Sequence, residues 1–275
     1  MDKRKVIYYT DERNDEFSLA QITPKVIDGS YVYDHTSRRK KFTHFFWYRI
    51  VAAPLAILYT KLKFHHKIIG KELLRAQKDT GVFLYGNHTQ DIGDALIPNI
   101  LNLSKDTYVI VHPNNVSMPI LGPITPSLGA IPLPDDMEAY RNFLKVIEKR
   151  IAEKRQVVIY PEAHIWPYYT GIRPFPDDSF HYPIKAGVPS FCFTNTYQKR
   201  RWSKKPKIVT YIDGPFYPDP NVPPRKQKKD LRDRIHAQMC ERAKLSTVTV
   251  IQYIEKEAES AEQTERNEQN EQNDG

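Results

Sequence analysis

Short apolar runs bounded by glycine or proline recur from about residue 80 onward, and they predict buried strands. The runs cover residues 82–85, 108–111, 157–160, 190–193 and 208–212. Between the second and third runs, apolar residues recur every three or four positions from Met137 to Ile151. That spacing predicts an amphipathic helix with Asp135 or Asp136 as its N-cap. Strands that alternate with helices predict an α/β layer architecture.

The flanking segments differ from this pattern. Residues 1–40 are polar and mixed, whereas residues 41–66 are apolar and aromatic with basic residues at both ends. The second segment fits a helix in the headgroup region of a membrane, or equally a helix packed on the protein's own core. The chain is therefore divided into four parts by the pattern. These are a polar N-terminal extension (1–40), a membrane-surface or core-packing helix (41–66), the main domain (67–254) and an acidic disordered tail (255–275).

Charge is distributed unevenly along the chain. The net charge is +8, but residues 255–275 carry −6, which leaves +14 on the rest. A body this basic is expected to attract anionic lipid headgroups, phosphorylated substrates or nucleic acid. The two cysteines form no paired motif, which favours a reducing compartment, and the polar start predicts no signal peptide. No apolar run reaches the roughly 20 residues that a membrane-spanning helix needs.

A first cluster of polar side chains follows the strand predicted at residues 82–85. It contains Asn87 and His88, with Asp91 and Asp94 three and six residues beyond the histidine. The carboxyl ends of strands in open α/β sheets are where ligands collect. An imidazole there can take a proton from an alcohol when a carboxylate holds its other ring nitrogen. His88 is therefore a candidate general base, with Asp91 or Asp94 as its partner.

A second cluster follows the strand predicted at residues 157–160. Pro161 ends that strand, and the pattern predicts that Glu162 opens onto a crevice at the sheet edge, near His164. Downstream, Arg173 and Lys185 are candidate phosphate ligands, the arginine through two parallel hydrogen bonds and the lysine as a point charge.

Together the two clusters resemble the glycerophospholipid acyltransferase family, which includes the 1-acylglycerol-3-phosphate acyltransferases. Asn87-His88 with a following aspartate is similar to the family's first motif, and the segment 160–163 is similar to its Phe-Pro-Glu-Gly motif. Residues 128–134 and 185–189 resemble two further blocks of that family. The resemblance spans roughly residues 67 to 217. It implies a mixed β-sheet flanked by helices, preceded here by the amphipathic or apolar N-terminal helix.

The resemblance also implies a reaction. His88 would act as general base on the hydroxyl of a lysophospholipid such as 1-acylglycerol-3-phosphate, with Asp94 favoured over Asp91 as its partner. Asn87, Glu162, His164, Arg173 and Lys185 would bind substrate. Acyl-CoA or acyl carrier protein would donate the acyl group, no cofactor would be required, and the enzyme would lie peripherally on the cytoplasmic face of a membrane with anionic lipids.

Two departures from the family pattern affect the site. The family places four residues between its histidine and aspartate, which would fall on Gly93 rather than on Asp94. Its two arginines, expected to hold the acceptor phosphate, are replaced by Pro134-Asp135 and by Ile165. His164, Arg173 and Lys185 are the candidate replacements.

Other functions stay open at this point. The chain would be a catalytically inactive lipid-binding member of the family if the shifted spacing prevents the pairing of His88 with an aspartate. A basic nucleic-acid-binding protein is a less favoured alternative, because nothing here resembles a nucleic-acid-binding module. Cys192 as a nucleophile is a rival chemistry, although its apolar run favours a buried structural thiol. The histidines lack the spacing of metal ligands, so no metal is expected.

Overall fold

A computed structural model describes residues 5–17, 22–34, 37–201 and 203–256. Its strands are β1 (Lys5–Tyr9), β2 (Lys67–Ile69), β3 (Val82–Gly86), β4 (Thr107–Val111), β5 (Ala130–Pro132), β6 (Gln156–Ile159), β7 (Ser190–Arg200), β8 (Ser203–Phe216) and β9 (Ile251–Glu255). Seven of them form one sheet in the order β2–β8–β7–β3–β6–β4–β5. Strands β7, β3, β6, β4 and β5 are parallel, whereas β8 pairs antiparallel with β7 and parallel with β2. The expected α/β fold with a mixed sheet is confirmed.

Helices cover both faces of this sheet. They are α1 (Arg38–Phe45), α2 (Ala53–Phe64), α3 (Lys71–Arg75), α4 (Gly93–Leu101), α5 (Asn114–Ser117), α6 (Met137–Ala152), α7 (His181–Ala186) and α8 (Pro224–Ala243). Because side chains alternate along a strand, Phe83 and Tyr85 of β3 join the core under α6 and α8. Val82 and Leu84 join the other core, with α4 and the end of α2. Asp136 caps α6 by accepting a hydrogen bond from the main-chain N–H of Ala139 at 2.7 Å.

The helix predicted at residues 41–66 begins at Arg38 and continues through a π-helical stretch, Phe46–Ala52, into α2. One face of it packs on the domain. Tyr48 is buried, and its hydroxyl oxygen accepts a hydrogen bond from the main-chain N–H of Thr107 at 2.8 Å. An ion pair of 2.5 Å between Arg49 and Asp106 adds a second attachment. In the described ranges, no helix combines the length and apolar character that crossing a bilayer requires.

Strands β1 and β9 form a separate parallel pair that the hydrophobic pattern did not predict. Their register joins Lys5 to Ile251 and Tyr9 to Glu255. The polar extension assigned to residues 1–40 therefore contains a strand that pairs with the last described segment of the chain. The disordered tail predicted for residues 255–275 lies outside the described residues beyond Lys256.

The two polar clusters meet at one edge of the sheet. β3 and β6 are neighbouring parallel strands, with Tyr85 opposite Ile159, so their carboxyl ends lie side by side. Gly86 ends β3 with the ring of Phe193 packed against it, and a Cβ atom at this glycine would lie 2.2 Å from that ring. Ligand sites of open α/β sheets are typically found at such an edge.

Candidate active site

His88 lies on the turn that joins β3 to α4, and its ring is held on two sides. Nδ1 is 2.9 Å from Oδ2 of Asp94. One face of the ring stacks on Tyr160, with centroids 4.4 Å apart and planes inclined by 17°. Within the described ranges, Asp94 is the only side chain hydrogen-bonded to this ring. The carboxylate acceptor assigns the proton to Nδ1, which leaves the lone pair on Nε2 for a substrate.

Asp94 is buried in the first turn of α4, where several donors converge on its carboxylate. Oδ2 accepts hydrogen bonds from the main-chain N–H groups of Thr89 at 2.7 Å and Gln90 at 2.8 Å, and Oδ1 accepts one from the Asn195 side chain at 3.3 Å. Burial raises the pKa of Asp94, whereas the hydrogen bonds from His88 and from the two N–H groups oppose that rise. The turn at residues 88–90 thus surrounds the carboxylate of Asp94 and holds it where it can stabilise a protonated His88 ring.

Asp91, the other candidate partner, is exposed. It borders a cavity of about 130 Å³ together with Lys63, Phe64 and Tyr168. No hydrogen bond within the described ranges joins it to His88. Asp91 and Ile92 form an exposed turn ahead of α4. Of the two aspartates, Asp94 is the one that the fold brings to the histidine.

Glu162 does not open onto a crevice, and that prediction is corrected. Its side chain is fully buried. Oε2 accepts a hydrogen bond from the main-chain N–H of His88 at 3.0 Å, and Oε1 accepts one from the main-chain N–H of Arg173 at 3.1 Å. Burial raises the pKa of Glu162, while the charge of Arg173 and these hydrogen bonds lower it. Both carboxylate oxygens therefore bind the protein's own main chain rather than a substrate hydroxyl.

Arg173 is also buried, which corrects its assignment as a phosphate ligand. Its guanidinium donates to the main-chain oxygens of Glu162 at 3.1 Å, of Glu12 at 3.4 Å and of His164. Nη2 lies 3.6 Å from Oε2 of Glu162. Burial lowers the pKa of Arg173, and the charge of Glu162 opposes that shift. These contacts hold the guanidinium in the protein interior, where its positive charge compensates the negative charge of Glu162.

The remaining predicted ligands occupy three different environments. Asn87 is buried and exchanges two hydrogen bonds with the main chain of Asn195, at 3.0 and 2.8 Å, so it joins the end of β3 to β7. His164 is partly exposed, with Nδ1 3.7 Å from a carboxylate oxygen of Glu16. Lys185 lies on α7, ahead of the amino end of β7.

Lys185 is therefore at the edge of the sheet opposite to His88, because β7 and β3 are parallel. It pairs there with Glu148 at 2.7 Å. Its assignment to the substrate site is corrected by this topology, since a residue that precedes a parallel strand lies at the amino end of that strand.

Cys192 lies inside β7 and is fully buried in the core. Burial raises the pKa of its thiol well above the usual value. A protonated, inaccessible thiol is a poor nucleophile, so the geometry favours direct transfer over a covalent intermediate on this cysteine.

Two aromatic residues of the site were missed by the sequence analysis. The Tyr160 hydroxyl donates to the main-chain oxygen of Asp94 at 2.7 Å, in addition to its ring stacking on His88. The main-chain N–H of Trp166 donates to the main-chain oxygen of His88 at 3.1 Å. Neither contact could be recognised from the residue type. The contacts of Tyr160 depend on the pairing of β6 with β3, and Trp166 binds His88 through its main-chain N–H.

The chain is similar to known acyltransferases in sequence and in fold. A family model described as Acyltransferase matches residues 65–194, a range that contains His88, Asp94 and Glu162. The crystal structure of the 1-acyl-sn-glycerophosphate (LPA) acyltransferase PlsC from Thermotoga maritima superposes with a TM-score of 0.51 and 16% sequence identity, covering 76% of this chain and 85% of that chain. At this identity the likeness shows a shared fold. No curated protein sequence matches significantly. Residues 65–194, just under half of the chain, are therefore similar to the Acyltransferase family, and the chain shares the fold of PlsC.

Proposed function

We propose that this acyltransferase moves a fatty acyl group from a thioester donor, acyl-CoA or acyl carrier protein, to the hydroxyl of a lysophospholipid such as 1-acylglycerol-3-phosphate. The observation that carries the proposal is the His88–Asp94 pair, joined at 2.9 Å at the carboxyl edge of the sheet. The likeness to PlsC, which is titled a 1-acyl-sn-glycerophosphate acyltransferase, supports the choice of acceptor.

The chemistry follows from the orientation of the imidazole. Nε2 of His88 takes the proton of the acceptor hydroxyl while the oxygen attacks the thioester carbonyl. The carbon–sulfur bond then breaks, and the imidazolium gives its proton to the leaving thiolate. Asp94 stabilises the imidazolium between these steps. No acyl-enzyme forms, and no cofactor is needed.

The two arginines that are expected to hold the acceptor phosphate in this family are missing here. Other cations must therefore bind that phosphate. With Arg173 buried and Lys185 at the opposite edge, Lys63 beside the cavity and the partly exposed His164 are the candidates near the His88 turn. A lysine serves such a phosphate as a point charge. The excess of positive charge on residues 1–254 also suits an acidic donor, whether coenzyme A or acyl carrier protein.

An anionic membrane surface is the proposed place of the reaction. The helical segment 38–64 buries one face and exposes a series of large apolar side chains on the other, each more than half exposed. These are Phe42, Phe45, Ile50, Leu55, Leu58 and Leu62. Basic residues stand at both ends of the segment, at 38–41 and at Lys61 and Lys63. Apolar side chains flanked by lysine and arginine are typical of helices that lie in the headgroup region.

Replacing Leu58 and Leu62 together by glutamine is expected to weaken binding to vesicles that contain an anionic phospholipid. Each leucine would lose on the order of 1 kcal/mol of transfer free energy, so the pair should cost about 30-fold in partition coefficient. Vesicle flotation measures this. The control exchanges Val26 and Val32, which are exposed outside the helical segment, for serine. Equal partitioning of the leucine variant and the unchanged protein would contradict the proposal.

The proposed reaction is tested with purified protein, labelled acyl-CoA or acyl carrier protein, and a panel of acceptors. The panel contains 1-acylglycerol-3-phosphate, lysophosphatidylcholine, lysophosphatidylglycerol and glycerol 3-phosphate. The expected product is the diacyl phospholipid, with 1-acylglycerol-3-phosphate among the accepted substrates. Thioester hydrolysis without transfer to any lysophospholipid would refute the proposal.

A further inference from the structure

Both main-chain polar groups of His88 are bound by one loop. Its N–H donates to Oε2 of Glu162 at 3.0 Å, and its carbonyl oxygen accepts from the N–H of Trp166 at 3.1 Å. The next residue continues the pattern, because the carbonyl oxygen of Thr89 accepts from the N–H of Tyr168 at 3.0 Å. The loop after β6 thus runs alongside the turn that carries His88. The position of this loop therefore determines the position of the imidazole.

That loop has no regular secondary structure from Pro161 to Asp177. Two of its residues, Ala163 and Tyr168, have positive φ angles of 63° and 58°, in the left-handed region that residues other than glycine rarely occupy. Such a backbone persists only when its surroundings hold it. The loop therefore needs tertiary contacts to keep the geometry that binds His88.

Those contacts come largely from residues 5–17 and 251–255, which we call the terminal clamp. Trp166 is fully buried, with its ring centroid 4.8 Å from that of Tyr9 and 5.2 Å from that of Phe17, and it stacks on Tyr253 at 4.9 Å and 12°. Its indole N–H donates to the main-chain oxygen of Asp15 at 2.8 Å.

The clamp also reaches the loop on either side of the tryptophan. The Tyr253 hydroxyl donates to the main-chain oxygen of Pro167 at 2.9 Å. Arg173, which closes the loop onto Glu162, donates to the main-chain oxygen of Glu12 at 3.4 Å. Segments from distant parts of the chain therefore converge on the loop that carries both hydrogen-bond partners of the His88 main chain.

We propose that the terminal clamp positions the general base: Tyr9 and Tyr253 hold Trp166, and the loop that carries Trp166 holds the His88 main chain. Tyr9, Trp166 and Tyr253 are positioning residues, since they act on the imidazole through the loop. The inference rests on the proposed role of His88. Its consequence is that loosening the clamp lowers kcat, because the base is misaligned.

Strand β1 provides a matched pair of variants for the test. Tyr9 packs on Trp166, whereas its neighbour Tyr8 is 55% exposed and points away from it. Tyr9→Ala is expected to lower kcat about tenfold, since small misplacements of reacting groups are costly. Tyr8→Ala is expected to match the unchanged protein, and Tyr9→Phe, which keeps the ring, is expected to restore kcat. Steady-state rates are measured well below the melting temperature of each variant, with donor and acceptor varied separately.

Equal kcat values for Tyr9→Ala and Tyr8→Ala would overturn the inference, as would a raised KM with unchanged kcat. If Tyr9→Ala does not fold, Tyr253→Phe decides, because it removes only the hydroxyl bound to Pro167. A fall in its kcat supports the clamp, and an unchanged kcat overturns it. His88→Ala separates the two proposals. If His88→Ala retains activity, the proposal that His88 is the general base is wrong. If His88→Ala is inactive and Tyr9→Ala is fully active, only the proposed role of the terminal clamp is wrong.

Discussion

Replacing His88 with alanine is expected to lower kcat by about 10²-fold to 10⁴-fold, the range that a positioned general base contributes. Nδ1 is bound by Asp94, so in the proposed reaction Nε2 is the atom that takes the acceptor proton, and alanine has no substitute for it. The fold should survive, because Asp94 keeps its hydrogen bonds from Thr89, Gln90 and Asn195. Initial rates at saturating donor and acceptor measure the loss, and circular dichroism melting reports the fold.

His181→Ala is a suitable control for that variant. His181 begins α7, and its ring hydrogen-bonds the main-chain oxygen of Asp178 at 2.5 Å. It should retain the activity of the unchanged protein. If His88→Ala keeps most of its transfer activity while remaining folded, the assignment of the base is wrong.

Asp94→Asn is expected to lower kcat by about 10²-fold or more, as an amide in place of the carboxylate does in other pairs of base and orienting acid. The amide oxygen can still accept from Thr89 and Gln90, so the turn should persist. The negative charge that stabilises the imidazolium is lost, however. The rate of acyl transfer at saturating substrates measures the effect.

Asp91→Asn is the matched substitution three residues earlier. Asp91 is exposed and forms no hydrogen bond to His88 within the described ranges, so its removal should change kcat by less than about twofold, as expected for a surface site. Equal losses in the two variants would contradict the pairing of His88 with Asp94. A larger loss in Asp91→Asn would indicate that the turn rearranges when substrate binds.

The central strands could be predicted because each is buried on both faces. In β3 and β6 every residue is buried, so the sequence shows a continuous apolar run rather than an alternating one. The α6 helix could be predicted for the opposite reason, since only one of its faces is buried and the 3.6-residue period is visible.

Strands β1 and β9 could not be predicted in the same way. In β1 the exposed and partly buried positions are mixed, and its partner lies at the other end of the described chain. Its stabilising contacts are with Trp166 and with β9, and neither is visible in a local window of sequence. Pairing between segments so far apart is a property of the folded molecule.

The same distinction explains which candidate residues the fold brings together. His88 and Asp94 are joined within one turn, so their meeting follows from local geometry. Glu162 was assigned by its place after a strand, and Arg173 and Lys185 were assigned by charge. Neither criterion says whether a side chain faces a ligand or the protein. Glu162 and Arg173 bind main-chain groups in the interior, and Lys185 lies at the far edge of the sheet.

The pairing of β1 with β9 also orders events during biosynthesis. A ribosome makes β1 first, but its partner becomes available only after residue 251 has been added and has left the exit tunnel. Until then Trp166, which binds the main chain of His88, lacks its contact with Tyr253, however well the central sheet has formed. In a nascent chain the His88–Asp94 pair would therefore be formed while the His88 ring is still imperfectly aligned. Transfer activity would reach its full rate only when β1 and β9 had paired.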